Sequence, residues 1–258
     1  MQKTDTTKPN YGIDAPGLVK GFLFGGVALL SASWLIYSFV ADTRPWGIWV
    51  ALLVLLAAVY ALGMFGYMLW SSLVAKVVGR EAILDQVAWT GQEIVLDVGC
   101  GRGLMLVGAA RRLTTGMAVG VDIWSGRDQS ANEQAAPLEN ARLEGVGDRV
   151  SVQTADMRTL PFPDRSFDVV VSSWAVHNLD TQSDRAKMLA EMMRVVRPGG
   201  TVLLNDIVNR DEYLRQFKQL GAGNVRLVVG SAALDTFRSL ISFGSFQPAT
   251  VVAHRTLT

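Results

Sequence analysis

The chain has 258 residues, half of them apolar, and only 18% of them are charged. This composition is too apolar for a disordered chain, a collagen or a wholly soluble single domain. A net charge of +1 without a basic cluster argues against a nucleic-acid-binding protein, so no nucleic-acid partner is predicted. One cysteine and two histidines are too few for a disulfide framework or a metal centre rich in these residues, so no metal site is predicted.

The charged residues are distributed very unevenly along the chain. Residues 1–75 carry four basic and three acidic side chains, whereas the rest of the chain carries the remaining 20 of each sign. No charged residue occurs from Gly21 to Ala41 or from Pro45 to Ala75. A helix needs about 20 apolar residues to cross the hydrocarbon core of a bilayer, so each run is long enough. The sequence predicts a transmembrane helical hairpin over residues 21–75, with spans at about 21–41 and 46–70.

The two apolar runs have other interpretations, which stay open at this stage. The first run could be a secretory signal peptide, although no small-residue cleavage site follows it before the second run. Both runs could also be buried core helices. A hairpin is favoured because only Asp42–Pro45 links the runs. In addition, Trp46 and Trp70 would lie roughly 36 Å apart along a helix, about the thickness of a bilayer with its interfaces.

Basic residues beside the spans predict the orientation of the hairpin. Three lysines precede it and two basic residues follow it, whereas the link contributes only Arg44, which Asp42 offsets. By the positive-inside rule, both ends of the hairpin then face the cytoplasm. We therefore predict an integral protein of the cell membrane, with a cytoplasmic N-terminal segment at residues 1–20 and a cytoplasmic domain at residues 76–258.

Beyond residue 93 the sequence alternates between apolar strands and amphipathic helices. This alternation predicts a mostly parallel sheet that is covered by helices on both faces. Ligands of such sheets bind at the carboxyl ends of the strands, near the topological switch point. The predicted strands are Glu93–Val98, Met117–Asp122, Arg149–Ala155, Phe167–Ser173 and Thr201–Ile207. The predicted helices are Ser71–Trp89, Leu104–Leu113, Asn132–Glu144 and Ser183–Val196, and the predicted turn before the fifth strand is Arg197–Gly200.

A glycine-rich turn follows the first predicted strand. Its glycines are spaced as Asp-x-Gly-x-Gly-x-Gly from Asp97 to Gly103, and they allow a tight turn and a close approach to a ligand. The spacing differs from the dinucleotide fingerprint, since residue 104 is leucine. Asp122 closes the second strand, 25 residues after Asp97. A carboxylate at that place can accept hydrogen bonds from both hydroxyls of a ribose.

Four segments of the chain carry a family resemblance: VLDVGCGRG, GVDIW, TADMRTLPFPDRSFDVVVSSWAVHNL and MLAEMMRVVRPGGTVLLNDI. In this order and spacing they resemble the class I S-adenosylmethionine-dependent methyltransferases, and the resemblance covers about residues 88–206 in detail. It implies an α/β, Rossmann-like, doubly wound and mostly parallel seven-stranded sheet with a reversed last strand, placed after the two transmembrane helices. The candidate final pair of strands is Asn224–Val229 and Ala249–Arg255.

The resemblance also implies S-adenosyl-L-methionine as the cofactor and a set of residues that hold it. Each residue is carried over from a matching position of a family motif. The implied contacts are Asp97, Gly99, Gly101 and Gly103 with the methionine moiety, Asp122 with the ribose, Ile123, Asp156 and Met157 with the adenine, and Ser172 and Ser173 near the methyl donor.

Several of these residues have plainer interpretations. Asp122 could cap the following turn, and Met157 could be a core residue. Residues 124–132 form a loop that is longer and more polar than is usual in the family. Trp124 in this loop could stack on the adenine or cover the ribose, or it could simply anchor a surface loop.

Two residues are candidates for acid–base catalysis. Methyl transfer from a sulfonium depends mainly on positioning, but a hydroxyl or thiol acceptor would benefit from a base. His177 follows the fourth predicted strand and Asp206 ends the fifth, so both lie on the strand-end face where the acceptor must arrive. The imidazole could instead only hydrogen-bond the loop that carries it.

The predicted function is a membrane-anchored S-adenosylmethionine-dependent methyltransferase. Its acceptor is predicted to be a small, hydrophobic or lipid-like molecule, because the hairpin would hold the active site close to lipid. Two alternatives remain open: a membrane scaffold that binds the cofactor without methyl transfer, and a hairpin that packs against another membrane protein. Residues 1–17 could fold over the cofactor site as a lid or could be a simple connector.

Overall fold

The computed structural model describes residues 8–40, 43–125, 131–230, 236, 239–242 and 248–257. Ala41 and Asp42 at the predicted hairpin link, and residues 126–130 of the predicted polar loop, lie outside the described residues. So do residues 1–7 of the predicted N-terminal segment. The described chain divides into two units. One unit contains residues 12–76, and the other combines residues 8–11 with residues 77–125 and those from 131 onward.

The first unit consists mainly of two helices of 25 residues, α1 (Pro16–Val40) and α2 (Trp46–Trp70). α1 begins before the predicted residue 21, because Pro16 suits the first turn of a helix and Lys20 is accommodated there. Small residues lie where the helices meet: a Cβ on Gly26 would lie only 2.7 Å from Cδ2 of Leu62. Both helices are long and apolar enough to cross a membrane.

A short π-helical turn, Ser71–Ala75, follows α2, and α3 (Lys76–Leu84) comes next. The predicted helix Ser71–Trp89 therefore exists but ends five residues early. Trp89 lies beyond its end, where the indole Nε1 donates to the carbonyl oxygen of Leu84 at 2.8 Å. This contact satisfies one of the carbonyl groups that a helix terminus leaves without an intrahelical donor.

The second unit contains a seven-stranded sheet with the order β3-β2-β1-β4-β5-β7-β6. All neighbouring strands are parallel except β7, which runs antiparallel to both of its neighbours. The predicted doubly wound α/β sheet with a reversed last strand is confirmed. The strands are β1 (Ile94–Val98), β2 (Met117–Asp122), β3 (Val150–Thr154), β4 (Phe167–Ser173), β5 (Val196–Asp206), β6 (Ala222–Val229) and β7 (Ala249–Arg255).

Helices cover both faces of this sheet, and two apolar clusters mark the two faces. Along β1, Leu96 belongs to one cluster and Val95 to the other, as the alternation of side chains along a strand requires. The first cluster includes residues of α6 and α7, and the second includes residues of α4 and α5. The bounds are α4 (Leu104–Ala110), α5 (Ala135–Leu143), α6 (Gln182–Val195) and α7 (Arg210–Gln219).

One local prediction is wrong. The segment Arg197–Gly200 is part of β5 and not a turn before it. Pairing with β4 shifts there, since Val196 pairs with Phe167 but Thr201 pairs with Val169, so the intervening residues bulge from the ladder. Proline and glycine are common at bulges as well as in turns, which explains the error. The sequence also gave no prediction for α7.

Candidate functional site

The functional site is expected where the strand order changes direction, between β1 and β4. The chain proceeds outward from β1 through β2 to β3 on one side, and from β4 to β5 on the other. Helices therefore leave the two halves on opposite faces, and a crevice opens at the carboxyl ends of the central strands. The turns after β1, β2, β4 and β5 meet at this edge.

The turn after β1 is held against the end of β2. The backbone amides of Gly99 and Cys100 both donate to the carbonyl oxygen of Val121, at 2.8 and 3.0 Å. Gly99 has a φ of 73°, and a Cβ there would lie 2.4 Å from the Cβ of Ala175. Only glycine fits this position, because the backbone is left-handed and an added Cβ would overlap with Ala175. The sequence-predicted Gly101 and Gly103 also have positive φ values, of 49° and 83°.

Asp122 connects the glycine-rich turn to the loop after β2. Its Oδ2 accepts from the amide of Gly101 at 2.8 Å, and its Oδ1 accepts from the amide of Trp124 at 2.6 Å. Asn132 contributes a longer contact of 3.4 Å to the same Oδ1. The carboxylate thus caps the following turn, and it lies at the carboxyl end of β2, where the sequence predicts a contact with a ribose. These two interpretations of the sequence are compatible.

The loop after Asp122 presents two apolar side chains that are held differently. Ile123 is exposed. Trp124 adopts a φ of 60°, and its indole Nε1 donates to Oγ1 of Thr154 at 2.8 Å, at the end of β3. The indole is therefore fixed across the ends of two neighbouring strands. A fixed ring of this kind can anchor the loop, and its remaining surface can also cover a bound ligand.

His177 and Asp206 form a close pair on the other side of the crevice. Nδ1 of His177 lies 2.6 Å from Oδ1 of Asp206, and the amide of His177 donates to Oδ2 at 3.0 Å. The amide of Ile207 and the hydroxyl of Tyr213 donate to the same carboxylate, at 2.8 and 3.0 Å. Because an ionised carboxylate only accepts, Nδ1 is assigned as the donor, and in the neutral form of the ring Nε2 is then the acceptor. Asp206 is only 2% exposed, so these contacts fix its position.

Comparison with known proteins identifies the domain to which the central part of the sheet belongs. Residues 96–204 match the family model described as a methyltransferase domain. The methyltransferase GfsG of Streptomyces halstedii is 37% identical over 160 residues, which cover 62% of this chain and 51% of that protein. The 27-O-demethylrifamycin SV methyltransferase of Amycolatopsis mediterranei is 31% identical over 160 residues, or 60% of this chain and 54% of that protein. The chain spans about half the length of these curated relatives.

A solved structure agrees with the sequence matches. The geranyl diphosphate C-methyltransferase of Streptomyces coelicolor superposes with a TM-score of 0.58 at 19% identity, over 74% of this chain and 84% of that one. Residues 96–204 belong to the methyltransferase domain family. The predicted recognition, a class I S-adenosylmethionine-dependent methyltransferase, is confirmed for this domain. The predicted seven-stranded, Rossmann-like architecture agrees with it.

Asp97 tests whether the methyltransferase domain fits its cofactor. This residue is only 1% exposed, and its Oδ2 has no hydrogen-bond partner among the described residues. Burial raises the pKa of Asp97 to about 8, and the charge of Asp122 acts in the same direction. A buried carboxyl oxygen without a donor is rare in folded proteins and calls for a ligand. The ammonium group of the methionine moiety is a donor of the required charge, so the residues present fit S-adenosylmethionine.

The residues implied to contact the adenine have mixed surroundings. Asp156 pairs with Arg158 at 2.6 Å, and this hydrogen-bonded ion pair lowers the pKa of Asp156. The carboxylate is half exposed and can still accept from an amino group. Met157 lies beside the glycine-rich turn, since its Cε would be 3.5 Å from a Cβ on Gly99. Met157 also packs against the first apolar cluster, so the interpretation of this residue as part of the core is correct as well.

The two serines at the end of β4 differ in their surroundings. Ser172 is fully buried, and its hydroxyl donates to the carbonyl oxygen of Val98 at 2.7 Å, across to β1. Ser173 is half-buried and shares a hydrogen bond of 3.0 Å with the side-chain amide of Asn205. The hydroxyl of Ser172 is therefore engaged within the sheet. Ser173 is the more exposed of the two.

Sequence reasoning missed several residues of this site. Tyr213 lies on α7, which was not predicted, and Asn132 precedes α5. Asn140 donates to the carbonyl oxygen of Arg102 in the glycine-rich turn, and Nε of Arg102 donates to that of Asn10, so both contacts join distant parts of the chain. No local pattern marks them. Among the described residues, no group of three or more histidine, cysteine or acidic side chains is placed to hold a metal ion.

Proposed function

We propose that the chain is an S-adenosylmethionine-dependent methyltransferase, anchored in a membrane, that methylates a hydroxyl group of a small hydrophobic acceptor. One observation carries this proposal. Asp97 in β1, the glycine-rich turn after it and Asp122 at the end of β2 lie at the same edge of the sheet as His177, which follows β4, and Asp206, which ends β5. The residues proposed to bind the cofactor and the residues proposed for acid–base catalysis thus line the same crevice.

The residues divide the chemistry between them. Asp97 would hold the ammonium group of the cofactor and Asp122 its ribose. The bound cofactor would supply a methyl group that its sulfonium makes electrophilic. Nε2 of His177 would accept the proton of the acceptor hydroxyl, while Asp206 keeps Nδ1–H in place and stabilises the imidazolium that results. General-base assistance of this kind typically contributes a factor of about 10² to 10⁴.

The acceptor class is proposed from two sources. The name of one relative contains 27-O-demethylrifamycin SV, and the name of one structural neighbour contains geranyl diphosphate. Both are small-molecule acceptors of a methyl group. The first of these names specifies an oxygen, which agrees with a site that contains a base. The second specifies carbon. The His177–Asp206 pair favours oxygen for this chain.

The membrane anchor is proposed for the unit of residues 12–76. In the most apolar windows of its two long helices, only 11% and 17% of the residues are buried. A core helix of a soluble protein would be mostly buried, so these proportions favour lipid as the surroundings. Bulky side chains such as Trp34 and Leu53 are exposed on these helices. A bilayer would remove this surface from water.

The proposed segment boundaries are those predicted from the distribution of charged residues along the sequence. Residues 1–20 form the N-terminal segment, residues 21–75 the hairpin, and residues 76–258 the methyltransferase domain, with both termini in the cytoplasm. A fluorescent reporter at the C-terminus tests this orientation. A signal on the cytoplasmic side of the cell membrane is expected. An extracytoplasmic reporter would overturn both the topology and the access of the domain to its cofactor.

The activity is tested with the full chain purified in detergent. Calorimetry should detect binding of S-adenosylmethionine by the parent and at least a tenfold loss for Asp122→Ala, because the ribose loses its acceptor. Membrane extracts offered radiolabelled cofactor should then give a labelled, extractable small molecule. Binding without any labelled product in the extracts would support the scaffold alternative. An absence of binding by the parent would overturn the central proposal.

A further inference from the structure

The chain just before α1 is attached to the methyltransferase domain by its backbone. Asn10 belongs to the same unit as that domain. Its amide donates to Oδ1 of Asn140 at 2.8 Å, and its carbonyl oxygen accepts from Nδ2 of Asn140 at 2.9 Å. A side-chain amide thus pairs with the backbone of Asn10 as a neighbouring strand would. The two partners are 130 positions apart in the sequence.

The same asparagine side chain also holds the glycine-rich turn. Asn140 is buried, and its Nδ2 donates to the carbonyl oxygen of Arg102 at 2.8 Å in addition to that of Asn10. Arg102 lies between the second and third glycines of the motif, and its Nε donates to the carbonyl oxygen of Asn10 at 2.6 Å. Residue 10 is therefore connected to the turn by two separate routes. One route passes through the backbone of Arg102 and the other through its side chain.

Tyr11 provides a second attachment next to the first. Its ring is buried under the guanidinium of Arg80, with 5.7 Å between the ring centre and Cζ. Nη1 of Arg80 donates to the Tyr11 hydroxyl at 3.2 Å, and that hydroxyl donates to Oε1 of Glu144. Burial raises the pKa of Tyr11, so the hydroxyl keeps the proton that it donates. The side chain of Arg80 is only 2% exposed, and its Nη1 lies 3.4 Å from Oε1 of Glu144. The buried guanidinium therefore has a carboxylate as its partner.

We propose that Asn10 and Tyr11 form an N-terminal clasp that holds the glycine-rich turn in its cofactor-binding conformation, which makes Asn140 and Arg102 positioning residues for S-adenosylmethionine. This inference rests on the cofactor binding in the proposed function, but not on the acceptor or on methyl transfer. A turn with three glycines has many conformations to lose when a ligand binds. A turn that is already fixed loses fewer, so the ligand binds more tightly.

The clasp differs from the lid that the sequence suggested. A lid would act by covering a bound ligand. The contacts of Asn10 instead reach the backbone of the turn and the side chain of Asn140 on α5. Loss of the clasp is therefore expected to change the conformation of the turn in the free protein. The affinity for the cofactor should fall as a result.

Two deletions in the full chain form a matched pair. Removal of residues 1–8 leaves Asn10 and Tyr11 in place, whereas removal of residues 1–11 takes both away. Both deletions remove Lys3 and Lys8, so any effect of these charges on orientation is shared. Calorimetry with S-adenosylhomocysteine should show unchanged affinity for the shorter deletion and about a tenfold weaker affinity for the longer one. Turnover at saturating cofactor should agree within about twofold between the two, since only binding is affected.

Hydrogen exchange separates the clasp from the proposed function. In the absence of cofactor, the amides of the glycine-rich turn should exchange faster in the longer deletion than in the shorter one. This measurement tests the clasp even if the parent binds no cofactor. An absence of cofactor binding would overturn the proposed function but not the clasp. Equal exchange and equal affinity in the two deletions would overturn the clasp.

Point variants cover the case in which the longer deletion does not fold. Asn10→Pro removes the backbone N–H that donates to Asn140, whereas Asn10→Ala keeps it. Faster exchange of the turn and weaker binding are expected for the proline variant relative to the alanine variant. Identical behaviour of this second pair would also overturn the proposal.

Discussion

The backbone amide of Gly101 donates a hydrogen bond of 2.8 Å to Oδ2 of Asp122. This contact joins the middle of the glycine-rich turn to the end of the neighbouring strand, so it sets the positions of the two segments relative to each other. Parallel pairing of β1 with β2, in which Val98 lies opposite Val121, brings them within reach. The geometry of the site therefore depends on how β1 and β2 pair, and not on the conformation of a single loop.

Gly99→Ala should be strongly destabilising. The φ of 73° costs an alanine about 1 kcal/mol, and its Cβ would lie 2.4 Å from that of Ala175, where overpacking costs about 1–3 kcal/mol more. Gly145→Ala is the control, because Gly145 has a φ of 72° but no neighbour within 4 Å of the added Cβ. Unfolding in denaturant measures both free energies. Equal losses for the two variants would contradict the steric argument.

Asp97→Asn should stabilise the protein without cofactor, and more so at high pH. The pKa of Asp97 is about 8 in the folded state, above its ordinary value of 3.8. Between these values the folded state binds a proton that the unfolded state has released, so stability falls as the pH rises through this window. Asparagine is neutral throughout and avoids the loss, which is on the order of a few kcal/mol at pH 8.

The measurement is the free energy of unfolding of parent and variant at pH 5 and at pH 8. The gain from Asp97→Asn should be clearly larger at pH 8. The variant should also bind S-adenosylmethionine more weakly, since the ammonium group loses its charged partner. A gain of the same size at both pH values would show that the buried carboxyl is not the source of the effect.

His177→Gln should lower turnover by a factor of about 10² to 10⁴ while the cofactor affinity stays the same. The change removes the proton acceptor from the crevice but leaves the glycine-rich turn untouched. His254→Gln is a matched control, because the ring of His254 contacts Thr201 within the sheet, 3.1 Å away. Full activity is expected for the control variant.

The partnership of His177 with Asp206 is tested by a double variant. Asp206→Asn alone should also lower turnover, because the imidazole loses the acceptor that fixes its orientation. Since both residues act on the same proton transfer, combining Asp206→Asn with His177→Gln should cost little more than the worse single change. Additive losses in kcat would show that the two residues act independently.

All seven strands of the sheet could be predicted from the sequence, and the largest error is the start of β5, which was predicted at Thr201 but lies at Val196. The bounds predicted for β2, β4 and β7 coincide with the observed ones. Strands that are buried on both faces form nearly continuous apolar runs with clear ends, and this pattern is local. α7 was missed because its sequence is mostly polar and only Tyr213 and Phe217 are buried. Two apolar residues four positions apart are too weak a signal for a helix.

The site residues were predicted one at a time, but their pairing required the fold. His177 and Asp206 are 29 positions apart, and they meet because Ser173 pairs with Asn205 across β4 and β5. The sequence does not state that register. The contact of Asn10 with Asn140 is more distant still, and neither residue belongs to a recognisable motif. Sequence patterns therefore predicted the chemistry of the crevice but not the contacts that hold it in place.

Leu56→Arg in α2 tests whether the hairpin lies in a membrane. Leu56 is 65% exposed and lies near the middle of the helix, so an arginine there would face hydrocarbon in the proposed arrangement. The apparent free energy of insertion should become less favourable by about 2.5–3.5 kcal/mol, and the fraction of chain resistant to alkaline extraction from membranes should fall. Val78→Arg is the control, because Val78 is 69% exposed on α3, outside the proposed spans. If α1 and α2 instead belonged to a soluble protein, an arginine at either exposed position would leave extraction unchanged and improve solubility without detergent.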